Sequence, residues 1–131
     1  MSDVAPYTNP IHAYLHNDNC RSITGGAFVP DGLWRGFGGA YLFADYACGK
    51  IWRLDKLPGG EFKRSLFISG AQGPVHLRFG PHAGSQALYY LSIFTGTVHR
   101  VTTTTANAAP TAAFGYVPDG KSSSRSRYDR P

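Results

Sequence analysis

The sequence predicts an all-β chain made of two antiparallel sheets of one repeating kind, and three observations carry that prediction. Residues 39–54 read GAYLFADYACGKIWRL. Two short runs rich in aromatic and β-branched residues are split there by the small turn Ala47-Cys48-Gly49, which is a β-hairpin signal. The pattern then recurs in residues 88–101, LYYLSIFTGTVHRV, where Gly96, Val98, Arg100 and Val101 follow Gly49, Ile51, Arg53 and Leu54 at a constant offset of 47. Finally, aromatics make up 14% of the chain and glycine occurs 16 times, while apolar residues rarely recur at helical spacing. A hairpin that returns every ~40–50 residues has the period of a β-propeller blade. The expected architecture is two antiparallel blades, part of a ring, within residues 11–102.

Taken in order, residues 1–10 hold Pro6 and Pro10 and form a lead-in. Residues 11–15 (IHAYL) are a short strand candidate, and Asn17-Asp18-Asn19 is a turn cluster. Residues 22–29 (SITGGAFV) read as a strand. The paired glycines inside it predict a bulge or the close approach of another backbone. Residues 30–38 (PDGLWRGFG) are a loop. The strands 41–46 and 50–54 follow, then the turn 57–60. The more polar strand 61–69 suits an exposed edge, where charge discourages pairing with another chain. The second unit opens at Gly73-Pro74. Val75, Leu77 and Phe79 alternate onto one face, 80–85 reads as a loop, and the strands 88–93 and 97–101 close the pattern. No fourth strand is evident after them. Residues 103–117 read as a linker leading toward a further domain, and 118–131 (PDGKSSSRSRYDRP) as a disordered basic tail.

The formal charge of +5 is uneven. Residues 1–120 carry nine Lys/Arg against seven acids, whereas 121–131 carry four against one. A nucleic-acid interface needs its cations clustered on the folded part, so this distribution argues against one. No apolar run is long enough for a membrane-spanning helix. The N-terminus lacks the charged head and apolar stretch of a secretory signal. No G-x-S-x-G stands around Ser22 or Ser92, and no helix follows the glycines at 36–39 to make a phosphate loop.

Several segments together resemble a known family: HAYLH, CRSITGGAF, GGAYLFADYACGKIWRL, GPVHLRFGP and ALYYLSIFTGTVHRV, in that order. They are similar to the C-terminal blades of the glucose/sorbosone dehydrogenases, six-bladed propellers of the soluble quinoprotein type. The resemblance covers about residues 11–102. Residues 107–112 (NAAPTA) resemble the start of a PKD-type immunoglobulin-like domain, which commonly follows such propellers. The family implies oxidation of a sugar or polyol with pyrroloquinoline quinone (PQQ) and calcium, in an extracellular or periplasmic protein. The quinone's three carboxylates require cationic forks. Where the family places a Lys and arginines, this chain has Ala47-Cys48 and Ala71-Gln72-Gly73-Pro74. The general-base His and most cofactor ligands belong to earlier blades. The expectation is therefore a chain with no catalytic, cofactor-binding or metal residues of its own, drawn from a parent that has them.

Blade topology brings Cys20 and Cys48 to one end of one blade, and relatives carry cysteines at both places, so a Cys20–Cys48 disulfide is expected; two reduced thiols are the alternative. By the same topology loops 19–22, 46–49, 70–74 and 94–96 share a rim, with Tyr46, Gln72 and His76 as cleft residues. His12, His16, His76, His82 and His99 lack the spacing for zinc, which needs three or four converging ligands. Asp45 is expected to bond backbone amides between blades, Arg53 and Arg100 to be scaffold, and Trp34 to seal a blade rather than stack on a sugar. Three functions remain open: part of a quinoprotein dehydrogenase, a carbohydrate- or protein-binding propeller, or a fragment without activity that self-associates through its open flanks.

Overall fold

The structure, a computed structural model, describes residues 8–17 and 19–102. The expected linker, PKD-like start and basic tail, and most of the lead-in, lie outside the described residues. Within them the chain is all-β. Strands β1 (Ile23–Phe28), β2 (Tyr41–Asp45), β3 (Lys50–Lys56) and β4 (Phe62–Ile68) form one sheet in that order. Strands β5 (Pro74–His82), β6 (Ser85–Ser92) and β7 (Thr97–Val101) form a second. Every pairing is antiparallel. No helix long and apolar enough to cross a membrane occurs among the described residues.

The repeat seen in the sequence is a repeat of register. In the β2–β3 pair Tyr41 faces Leu54 and Asp45 faces Lys50. In the β6–β7 pair Leu88 faces Val101 and Ser92 faces Thr97, the same partners shifted by 47. The two turns match as well. Gly49 (φ 67°) donates its N–H to Asp45 O at 3.0 Å, and Gly96 (φ 68°) donates to Ser92 O at 2.9 Å. Both positions need the left-handed backbone that glycine adopts without penalty.

Period-two alternation then sorts the side chains. Leu42, Ala44 and Ile51 point to the inner face of the first sheet and are fully buried. They join Leu77, Leu88, Tyr90 and Val101 of the second sheet in one core. Each large aliphatic side chain buried there contributes about 2 kcal/mol. Trp34, from the loop before β2, closes the core. Its ring lies 5.9 Å from Phe67 of β4 and 5.2 Å from Phe79 of β5, so it bridges the two sheets. The sheets come together through β1 and β2 against β5. Thr24 donates its hydroxyl to Pro74 O at 2.7 Å across that seam.

Gly25-Gly26 proves to be both a bulge and a close approach. The β1–β2 register shifts between Thr24 and Gly26. A methyl group on Gly25 would stand 3.1 Å from the Cα of His76 and from the N of Leu77. Two expectations need correction. Residues 11–15 are not a strand; they cross the outer face of the first sheet as an irregular strap, with His12 and Tyr14 ring-to-ring against Phe43 at 6.1 and 6.4 Å. Their alternation serves contact with a face instead of a ladder. Residues 80–85 are not a loop either. Ala83 and Gly84, at φ 49° and 78°, make a two-residue turn, and Gly80-Pro81-His82 continue β5. Positive φ at both central positions matches the twist of the flanking strands. β5 is an edge strand, where proline is tolerated.

Candidate functional site

The four loops expected to share a rim do gather at one end. The N–H of Tyr46 donates to Ser22 O at 2.8 Å, and that of Ala71 to Gly49 O at 2.8 Å. Ile93 donates to Gly73 O at 2.9 Å, and Phe94 to Gln72 O at 3.3 Å. The loops are thus stitched by backbone bonds, each removing a polar group that would otherwise need water.

At the centre of this end sits Asp45, fully buried. Its Oδ1 accepts from the amides of Ala47 (2.9 Å) and Cys48 (3.3 Å). Its Oδ2 accepts from the amide of Ser22 (3.1 Å) and from the Tyr14 hydroxyl. Burial alone raises a carboxyl's pKa. The Tyr14 hydroxyl and the amides of Ser22, Cys48 and Ala47 outweigh it and hold Asp45 below the ordinary carboxylate value. Tyr14 responds in the opposite sense: burial and the bond to Asp45 push its phenol well above the usual range. The expectation that Asp45 bonds amides between blades is corrected, because all three amides belong to the first sheet and its entry loop. Ser92, its repeat equivalent, donates its hydroxyl to Ala71 O in the segment that connects the two sheets.

Beside Asp45 the Cys20–Cys48 disulfide is present, spanning 28 residues with its Cα atoms 4.7 Å apart. It fixes the end of the strap to the β2–β3 turn. One ligand atom from each of Cys20, Asp45 and Cys48 falls within a 4.8 Å cluster. A metal cannot use it as it stands, because both sulfurs are spent in the S–S bond and the carboxylate oxygens are already engaged.

Of the three residues expected at the cleft, two are brought together. Tyr46 packs its ring 5.2 Å from Phe94. Gln72 is exposed on the adjoining loop, bonded through its carbonyl to Phe94, and its φ of 57° is a left-handed value that non-glycine residues seldom adopt. His76 lies elsewhere. It is exposed on β5 and lines a cleft of about 380 Å³ on the outer face of the second sheet, with Arg78, Tyr89, Leu91 and Val98. Trp34 is 3% exposed and belongs to the core, so it offers no ring to a sugar.

The rim does not suit PQQ or calcium. Its four loops hold one cation, Arg21, whose guanidinium reaches the Asn19 side-chain oxygen at 3.4 Å. Three quinone carboxylates need more positive charge than that. The rim's buried carboxylate is committed to its own loops and offers calcium no free oxygen pair. Sequence reasoning missed Tyr14 and placed Phe94 only as part of a rim loop, not as a ring packed on Tyr46. Tyr14 reaches Asp45 across 31 residues, and no local pattern announces such a contact. Phe94 lies in the hairpin turn, where exposure is the ordinary expectation.

Comparison with family models, with curated proteins and with solved structures finds no match to this chain.

Proposed function

We propose that the chain is a pair of adjacent propeller blades from an exported protein of the glucose/sorbosone dehydrogenase kind. In that parent it walls one side of a sugar or polyol cleft and supplies no redox group. The observation that carries the reading is the repeated register: two meander sheets pair with identical offsets, and their first strands, β1 and β5, lie side by side as innermost blade strands do. The Cys20–Cys48 bond supports an oxidising location, extracellular or periplasmic. The neutral rim supports a walling role for this segment, with cofactor ligation left to blades outside it.

The neutral rim also favours a second reading, a propeller that holds carbohydrate without oxidising it. One experiment separates the two. The longer protein, supplied with PQQ and calcium, is assayed for dye reduction with a panel of aldoses and polyols, and in parallel on a glycan array. Dye reduction supports the dehydrogenase reading. Glycan retention without dye reduction or a change in the quinone spectrum selects the binding module. Neither response contradicts both.

A further inference from the structure

We propose that the pocket between the strap and the start of β1 binds a small oxyanion, a carboxylate or a phosphate. The pocket offers about 300 Å³ and is lined by His12, Ala13, Tyr14, His16, Arg21 and Ile23. That is the lower end of the range for small-molecule sites. Contacts already in place build it. His12 and Tyr14 pack against Phe43 and hold the strap on the first sheet, and the Tyr14 hydroxyl is fixed on Asp45. The chain then folds back on itself: Asn17 pairs antiparallel with Cys20, whose N–H donates to Asn17 O at 2.8 Å. In that pairing His16 falls opposite Arg21, and the Cys20–Cys48 bond anchors the turn.

The charge facing this pocket is positive. Arg21 is exposed, and among the described residues its guanidinium makes one bond, to the Asn19 side-chain oxygen at 3.4 Å. Most of its N–H donors are therefore left for a ligand. His16 is exposed with no partner among the described residues. Burial and the Arg64 cation hold His12 below its ordinary value, so at neutral pH it lines the wall as an uncharged ring. Among the described residues no carboxylate lines the pocket. Asp45, on the other side of the Tyr14 hydroxyl, is engaged by four donors, and Arg64 stands 5.0 Å from the Tyr14 ring to offset it. A metal ion is poorly matched, because Arg21 repels it and the imidazoles have no carboxylate or thiolate beside them in the lining. A guanidinium instead takes a carboxylate or a phosphate through paired, parallel bonds, and a neighbouring imidazole adds a further donor. The site needs no sugar chemistry and is independent of the propeller reading.

Nuclear magnetic resonance titration of the full chain tests it, with inorganic phosphate and acetate as separate probes. Constant pH, and ionic strength held constant with chloride, keep general screening the same throughout. Saturable shifts are expected at the Arg21 guanidinium and at the His12 and His16 rings, and none at Arg78, an exposed arginine on the second sheet. Saturation by phosphate alone assigns the pocket to phosphate ligands, by acetate alone to carboxylates, and by both to oxyanions in general. Arg21→Gln is expected to weaken the binding by more than about tenfold, His16→Gln by less, and Arg21→Lys, which keeps the charge without the fork, by an intermediate amount. No saturable shift with either probe overturns the site, as do equal shifts at Arg78 or an Arg21→Gln chain that binds like the wild type. Should Arg21→Gln disturb the amide spectrum away from the pocket, His16→Gln decides, and unchanged affinity there overturns the site.

Discussion

Asp45 shows how one buried carboxylate can organise an end of the fold. It satisfies three backbone amides and a phenol that would otherwise be stranded away from water. Leaving such donors unpaired costs about 1–3 kcal/mol each, with incomplete additivity. Asp45→Ala is therefore expected to destabilise the chain by about 3–5 kcal/mol, read as a lower urea midpoint with unchanged slope. Asp45→Asn keeps two acceptor lone pairs on one oxygen and should fall between. The pH sign follows from the lowered folded value. Stability from Asp45 is complete above its ordinary value of 3.8 and is lost as pH falls through the depressed one. The Asp45→Asn variant should lose that acid-limb dependence. Burial likewise lowers His99, and burial with a neighbouring arginine lowers His12 and His82. Their contributions decline as pH falls below 6.5, so the melting temperature should begin to drop there, well before Asp45 titrates.

At the scale of elements, the turns and the seam decide the structure. Gly25 and Gly26 are neighbours with different tasks, which gives a sharp contrast. At Gly25 a side chain meets the backbone of β5 and a left-handed φ of 58°. At Gly26 no left-handed φ adds strain, and the side chain meets the hydroxyl end of Tyr41 and, at 3.2 Å, the Leu42 carbonyl oxygen. Gly25→Ala is expected to cost about 2–4 kcal/mol, and Gly26→Ala distinctly less, in the same denaturation experiment. Equal effects would contradict the assigned seam. The disulfide acts on the unfolded chain. Closing a loop of 28 residues limits that ensemble, so Cys20→Ser with Cys48→Ser should cost about 3–4 kcal/mol in the chain-entropy description. The strap should loosen first, seen as faster exchange of the Ser22 and Tyr46 amides.

For the molecule as a whole, what could be read in advance was what repeats or is punctuated. The strands from Ile23 to Ile68 and from Thr97 to Val101 were visible because alternation and glycine turns are local signals. The four-loop rim and the Cys20–Cys48 pair followed once the repeat was laid out as blades. Loop 80–85 was misread because Gly80 and Pro81 usually mark turns, whereas here Ala83-Gly84 makes the turn and an edge strand tolerates the proline. The strap was misread because alternation cannot tell a strand from a segment laid across a face. His76 was expected at the rim from the blade layout, but the bulge at Val75 and the pleat send it to the outer face. Tyr14 against Asp45 depends on tertiary packing and left no trace in spacing.

The central claim is that two sheets of one kind stack with unlike faces joined, Leu42 and Ile51 sharing one buried core with Leu77 and Leu88 while Leu91 and Val98 lie on the opposite face of the second sheet. Methyl-resolved nuclear Overhauser spectra of the dilute, monomeric chain test it most directly. The account predicts a dense set of cross-peaks linking the Leu42 and Ile51 methyls to those of Leu77, Leu88 and Val101, and none from them to Leu91 or Val98. Cross-peaks from Leu42 or Ile51 to Leu91 or Val98 in that monomer would contradict it.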